Sequence, residues 1–178
     1  MAGLGRALAG ESLFMTTYTC QSGEAVVVFT PEAPGKIIPM QLAPGQVIIA
    51  QKDSFMVAQD GVKMEMHFRK KLGAGLFGGE GFILQKLTGP GIIFLEVPGD
   101  VREYTLAAGE TMKVDPGHIA FFEPTVNYEI TMMKGLKNIF FGGEGLFLAS
   151  LTGPGRISLP WGFPLVSVGK AVISCPRN

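Results

Sequence analysis

Charged residues are scarce in this sequence, and neither sign of charge predominates. Only 17% of its 178 residues are charged, with 15 basic against 15 acidic. A zero net charge removes the broad positive field on which non-specific nucleic-acid binding depends. It also removes the repulsion that keeps many proteins monomeric, so we predict a homo-oligomer.

Histidine and cysteine are rarer still, with two of each. Neither His67 nor His118 has another histidine or a cysteine at a metal-ligand spacing, so we predict no metal site, and we expect no cofactor. Cys20 and Cys175 could form a disulfide only if the fold brought the chain ends together, and free buried thiols are the simpler interpretation. No Gly-x-Ser-x-Gly motif provides a nucleophile.

Long apolar runs are also missing. None approaches the roughly 18 residues that a membrane helix needs, and Met1–Arg6 begins no signal-peptide core. We therefore predict a cytoplasmic protein with no integral membrane segment.

Glycine and proline, by contrast, are abundant, at 25 and 12 residues, and they divide the chain into short apolar segments. This pattern predicts an all-β protein with at most short helical turns, around Gly5–Ala9 and Leu136–Phe141. The runs Val26–Phe29 and Ile92–Leu95 are apolar at every position, which predicts strands covered on both faces in stacked sheets. The predicted strands are Ala25–Thr30, Gln46–Gln51, Phe55–Ala58, Lys63–Phe68, Phe82–Leu87, Ile92–Val97, Glu103–Leu106, Glu110–Val114, Ile119–Phe122, Tyr128–Met132, Leu146–Leu151 and Arg156–Leu159.

An internal repeat organises these segments. The motif Phe-Gly-Gly-Glu-Gly, followed by an apolar segment and Leu-Thr-Gly-Pro-Gly, begins at Phe77 and again at Phe141, a shift of 64 residues (141 − 77). Because one module of strands buries only one face, two or three copies would stabilise one another by packing about a pseudo-symmetry axis. We expect Leu-Thr-Gly-Pro-Gly to form a hairpin turn. The residues to which we assign structural turns are Gly79, Glu80, Gly81, Pro90, Gly91, Gly143, Glu144, Gly145, Pro154 and Gly155.

A weaker third copy lies at the start, where Gly10–Met15 resembles the segment that begins at Gly143. We therefore divide the chain into the tail of an incomplete first repeat (1–20), two full β-modules (21–95 and 96–160) and a C-terminal segment (161–178), in one compact unit. The strands missing beside the incomplete repeat could come from Leu165–Ser174 or from a neighbouring chain.

Three motifs suggest chemistry, and each has a simpler explanation. Gly73–Gly78 matches the dinucleotide fingerprint G-x-G-x-x-G, but no helical pattern follows it. Glu80 and Glu144 occupy equivalent positions, which argues against an acid/base pair because such a pair needs different surroundings. His118 with Asp115 is the best acid/base pair in the chain, yet the residue at the position of His118 in the earlier module is Ser54.

The only basic cluster is Arg69-Lys70-Lys71, which Phe68 precedes. Phosphate contacts from the cluster and base stacking on Phe68 would suit RNA or a single strand, and a membrane surface would offer similar charges. A solvated strand end is the commoner meaning of such a run.

The doubled motif, with Asp115-Pro116-Gly117-His118 between its copies, resembles the altered inheritance of mitochondria protein 24 family from about Leu4 to Leu159. The resemblance implies a β-prism, or double-stranded β-helix-like, fold related to the Trp RNA-binding attenuation protein (TRAP). It also implies a family whose bacterial members have no settled biochemical function and no catalytic residues to carry across. Mitochondrial relatives are linked to inner-membrane organisation.

Taken together, these features predict a pseudo-symmetric, non-enzymatic β-scaffold for binding or self-assembly. RNA or single-strand binding through Phe68 and the basic cluster is the first alternative. An enzyme that uses His118 and Asp115 is the second.

Overall fold

The computed structural model describes residues 16–70, 82–132, 147–161 and 173–174, and it confirms the all-β prediction. The chain divides into two compact units, Met1–Thr30 and Pro31–Asn178. The described residues form thirteen strands and two 3₁₀ turns, at Lys52–Ser54 and Pro116–His118. The strands are β1 (Gly35–Leu42), β2 (Val47–Gln51), β3 (Phe55–Ala58), β4 (Lys63–Lys70), β5 (Phe82–Thr88), β6 (Gly91–Pro98), β7 (Asp100–Leu106), β8 (Thr111–Val114), β9 (Phe121–Phe122), β10 (Asn127–Met132), β11 (Phe147–Thr152), β12 (Gly155–Trp161) and β13 (Ile173–Ser174).

Three antiparallel sheets make up the second unit. The largest has six strands in the order β4-β5-β2-β9-β12-β7. The others have the orders β1-β6-β3 and β10-β11-β8-β13. Strands β2 and β9 therefore lie in the middle of the six-stranded sheet, where β-branched and aromatic side chains pack well.

The six-stranded sheet separates two apolar cores. Ile48 and Ala50 of β2 belong to one core, together with Leu95 of β6, whereas Ile49 belongs to the other, together with Leu151 of β11. Burial on both faces explains why β2 is apolar at four consecutive positions. Strand β6 contains Ile92–Leu95, which we predicted to be covered on both faces. Its residues instead alternate between buried and half-buried positions, so only one face is fully covered.

Strand pairing recurs along the chain. We refer to β1–β6 as the first strand set and to β7–β12 as the second. Four pairings of the first set have counterparts 64 residues later, and the registers agree except beyond the bulges in the β4–β5 and β3–β6 pairings. Examples are Lys36 opposite Val97 and Asp100 opposite Trp161; Val57 opposite Phe94 and Phe121 opposite Ser158; Ala50 opposite Gln85 and Val114 opposite Ala149; and Lys63 opposite Thr88 and Asn127 opposite Thr152.

The Leu-Thr-Gly-Pro-Gly motif does not form the hairpin turn that we expected. Strand β5 pairs with β2 and β4, while β6, which follows the motif, pairs with β1 and β3 in another sheet. The motif is therefore a corner between sheets. The Gly89-Pro90 and Gly153-Pro154 peptide bonds are cis, and Gly91 and Gly155 have φ values of 142° and 144°. Glycine tolerates these positive φ values better than other residues.

The first unit contradicts two further expectations. Ala25–Thr30 forms no strand, and Val26 and Val28 are 89% and 79% exposed, so this apolar run is not covered on both faces. Its apolar residues alone do not make a strand, because a strand needs a hydrogen-bonded neighbour. Cys20 is an exposed free thiol rather than a buried one. The ring of Phe29 makes an edge contact with that of Tyr18, at a centroid distance of 5.7 Å.

Two strands escaped prediction, β1 and β13. Pro39 interrupts the apolar run of β1, and proline is tolerated in a strand at a sheet edge, which is where β1 lies. Strand β13 falls within the segment expected to complete a sheet, and it pairs with β8 inside the same chain. No helix in the described part of the chain is long and apolar enough to cross a membrane.

Several predicted features lie outside the described residues. They are the turns at Gly5–Ala9 and Leu136–Phe141, the third copy at Gly10–Met15, the Gly73–Gly78 motif, Cys175, and the turn residues Gly79, Glu80, Gly81, Gly143, Glu144 and Gly145.

Candidate functional site

The 3₁₀ turn Pro116–His118 carries the acid/base pair identified from the sequence. The structure brings the two side chains together, with His118 Nδ1 3.5 Å from Asp115 Oδ1. That separation is an ion-pair distance and is longer than an ordinary N–H···O hydrogen bond. Asp115 Oδ1 also accepts a hydrogen bond from the backbone, where the Gly117 N–H lies 2.8 Å away.

Asp115 caps its turn, and the first strand set places a neutral residue in the same role. Gln51 lies 64 residues before Asp115, and its side-chain oxygen accepts a hydrogen bond from the Asp53 N–H at 2.6 Å. Both side chains satisfy a backbone donor at the start of a 3₁₀ turn. Since glutamine has no acid/base function, the capping role does not depend on the carboxylate of Asp115.

At two more repeat positions, a glutamine in the first strand set corresponds to a glutamate in the second. The side chain of Gln46 accepts a hydrogen bond from the Ala43 N–H, and that of Glu110 accepts one from the Ala107 N–H. In a third pair, Gln59 accepts from the Ile92 N–H and Glu123 accepts from the Arg156 N–H. Three acidic residues of the second strand set thus bond to backbone groups as glutamines do in the first.

Tyr128 lies close enough to the turn for the charge of Asp115 to act on it. Burial raises its pKa well above the ordinary value, and the charge of Asp115 adds to this effect. Its ring stacks on those of Phe82 and Phe122, with centroid distances of 5.6 and 5.8 Å. Desolvation therefore keeps Tyr128 neutral, and its ring packs against the core.

Phe68 was the residue predicted to stack on nucleic-acid bases. Its ring meets that of Tyr128 edge to face, with centroids 5.2 Å apart, and it packs against the core that contains Phe122. The backbone of Arg69 and Lys70 completes β4, whereas Lys71 lies outside the described residues. The ring of Phe68, which was predicted to stack on bases beside the basic cluster, thus packs toward the interior.

Glu123 bonds to both the backbone and the side chain of Arg156. Its Oε1 accepts a hydrogen bond from Arg156 Nε at 2.8 Å, and its Oε2 accepts one from the Arg156 N–H at 2.9 Å. These bonds lower the pKa of Glu123, with the backbone bond as the largest cause. A carboxyl group with a lower pKa in the folded state stabilises the protein above its unfolded pKa and loses that contribution as the pH falls.

We expect Glu123→Gln to reduce the acid sensitivity of the protein. The amide would keep an oxygen acceptor, as Gln59 does, but would lose the charge. At neutral pH the variant should be less stable by about 0.5 kcal/mol, a small value because Arg156 is largely exposed. The difference should begin to shrink as the pH falls through the ordinary glutamate pKa, about 4, and should vanish below the lowered pKa of the folded protein. Urea unfolding at pH 7 and pH 3 measures it, and a difference as large at pH 3 as at pH 7 would contradict the assignment.

The capping residues were missed by sequence reasoning, although a signal was present. When the repeat is aligned at its 64-residue shift, Gln46, Gln51 and Gln59 fall on Glu110, Asp115 and Glu123. Side chains with an amide or carboxylate oxygen at three matching positions next to turns indicate shared backbone bonds. Motif searches for catalytic residues do not detect this signal.

Known proteins resemble this chain in sequence and in fold. An uncharacterised protein of Streptococcus pyogenes is 29% identical over 156 residues, which are 86% of this chain and 61% of that protein. The chain therefore spans less than two thirds of this relative's length. A crystal structure of a Streptococcus pyogenes protein matches 74% of this chain and 56% of its own, with a TM-score of 0.59 and 23% identity, which supports the fold alone. The family model described as mitochondrial biogenesis AIM24 matches residues 1–160, and the chain belongs to that family.

Proposed function

We propose that this protein is a non-enzymatic β-scaffold that binds partners, including copies of itself, through added strands. The observation that carries the proposal is the pairing of β2 with β9. Ile49 lies opposite Phe122 and Ala50 opposite Phe121, so a strand of the first set and a strand of the second continue one sheet. The two strand sets are therefore joined by pairing between one strand of each.

The recurrence of strand registers supports a pseudo-symmetric arrangement of the β-prism, TRAP-like kind. In such an arrangement each strand set offers one edge to the unit before it and another to the unit after it. The first set offers β2 to β9 of the second set. The second set offers β8, which is the counterpart of β2 and pairs with β13.

A scaffold has more support than an enzyme or an RNA-binding protein. Asp115 caps a turn, and Gln51 caps the equivalent turn without a carboxylate. Capping therefore accounts for the presence of Asp115 beside His118 without a catalytic role. Phe68 packs against Tyr128, and the sequence has no excess of positive charge for phosphate contacts.

Self-association of the full chain tests the proposal. We expect native mass spectrometry and light scattering to find a homo-oligomer at micromolar concentration, because no net charge opposes contact between copies. A monomer at every concentration tested, up to about 1 mM, would contradict the self-assembly part of the proposal.

A further inference from the structure

Sheet edges in this protein differ in how they are protected. An unpaired edge can add a foreign strand, and proteins commonly prevent this with charged residues or proline in the edge strand. Among the described strands, six lie at sheet edges, and five of these are either protected in this way or consist of only two residues. They are β1 with Lys36 and Pro39, β4 with Lys63 and Glu65, β7 with Asp100, Arg102 and Glu103, β10 with Glu129, and the two-residue β13.

Strand β3 is the sixth edge strand, and it has no such protection. It consists of Phe55, Met56, Val57 and Ala58, all half-buried, with β6 on one side. Within the described ranges, no strand pairs with its other side. Phe55 and Ala58 pack against the core that contains Leu95, whereas Met56 and Val57 belong to neither described core cluster. The edge therefore offers apolar side chains together with backbone groups that pair with no strand in the described part of the chain.

Strand β9 is the counterpart of β3 in the second strand set, and it shows which kind of strand pairs at this edge. Phe121 and Phe122 of β9 pair with β12 in the register that Val57 and Ala58 of β3 adopt on β6. On its other side β9 is covered by β2, antiparallel, and the Gln51 N–H donates a hydrogen bond to the Ala120 carbonyl at 2.9 Å. The position that β3 occupies in the fold is thus suited to an antiparallel strand.

Among the described strands, β3 of a second copy of this chain suits this position best. Strand β8 is the counterpart of β2, but β13 already pairs with it, and the exposed Lys113 stands where Ile49 is buried in β2. A charge at that position would be costly in an apolar junction. Two β3 strands carry no charge, and antiparallel pairing allows one strand to meet its own copy about a twofold axis.

We infer that two copies of this protein pair through the free edges of β3. The two β1-β6-β3 sheets would become one six-stranded sheet, equal in strand number to the sheet that β2 and β9 join within the chain. This inference rests on the proposed scaffold function and names the partner and the surface. It specifies a closed dimer, because a twofold interface uses the same patch on both copies.

The test introduces a charge into the β3 edge and, separately, into an edge that is already charged. Val57→Lys places two like charges in the twofold interface, and the matched control, Thr105→Lys, adds the same charge to an exposed position of β7. Sedimentation equilibrium should show that Val57→Lys raises the dimer dissociation constant at least about tenfold, while Thr105→Lys changes it by less than about twofold. Equal effects of the two variants would overturn the inference.

Amide hydrogen exchange on the unmodified chain provides evidence that does not depend on a variant folding. Protection of residues 55–58 should rise with protein concentration, in parallel with the dimer fraction. Dimers without added protection there would overturn the β3 interface but leave self-assembly intact. Rings or filaments would instead indicate head-to-tail pairing with β8, and a monomer at all concentrations would remove both the interface and self-assembly.

Discussion

Replacing Phe122 with alanine is expected to lower the free energy of unfolding by about 3–5 kcal/mol, as for other buried phenylalanines. Phe122 is 1% exposed, and its ring stacks on Tyr128. Its backbone pairs with Ile49 on one side and Ile157 on the other, so it lies where the two strand sets join. Because the cavity would open at this junction, both sets should unfold together, in a single transition in urea.

Phe55 provides the matched control, since it has the same side chain in the first strand set but is only half-buried. Phe55→Ala should cost less, about 1–2 kcal/mol, because less apolar surface is lost from the core. Circular dichroism during urea unfolding measures both variants. An equal loss at the two positions, or two separate transitions in Phe122→Ala, would contradict a junction that couples the strand sets.

Gly153→Ala is the second change with a large expected effect, about 2–3 kcal/mol of lost stability. A methyl group at Gly153 would lie 2.5 Å from the Ala107 carbonyl oxygen and 2.6 Å from Leu106 Cβ. Backbone atoms cannot yield as a flexible side chain can, so the corner between β11 and β12 would have to move. A methyl group at Gly89 would lie equally close to the equivalent atoms of Ala43 and Leu42, so Gly89→Ala should lower stability by a similar amount.

Gly109→Ala separates close packing from backbone conformation. Gly109 has a φ of 79° and no atom within 4 Å of an added methyl group, so its substitution strains only the backbone. The expected loss is about 1 kcal/mol, the usual order for a non-glycine residue in this region. Thermal unfolding of both variants, compared at one temperature, tests the difference. If Gly109→Ala were as destabilising as Gly153→Ala, close approach would not explain the corner.

Strands with a regular apolar pattern were predictable from the sequence. Eleven of the twelve predicted segments overlap an observed strand, and Phe55–Ala58 matches β3 at both ends. The failures have physical causes. Val26–Phe29 has strand-forming residues but forms no strand, and β1 was overlooked because Pro39 is acceptable only at an edge, which local pattern does not reveal.

The candidate site was less predictable than the strands. The contact between His118 and Asp115 followed from their closeness in sequence, whereas the inward packing of Phe68 on Tyr128 depends on residues 60 positions apart (128 − 68). The sequence alone also did not reveal that Asp115 caps a turn. That role became visible from the position of the Gly117 N–H and from the equivalent bond at Gln51.

Local pattern in the chain was enough to establish the β class and most strand positions, and it revealed the motif that recurs after 64 residues, because alternation and turn residues act over a few neighbours. Long-range packing selected the strand partners and turned the Leu-Thr-Gly-Pro-Gly motif into a corner between sheets. It also left β3 with β6 as its one neighbour among the described strands. Backbone hydrogen bonds are the same for nearly every residue, so the identity of the paired strand depends on which apolar faces can be buried together.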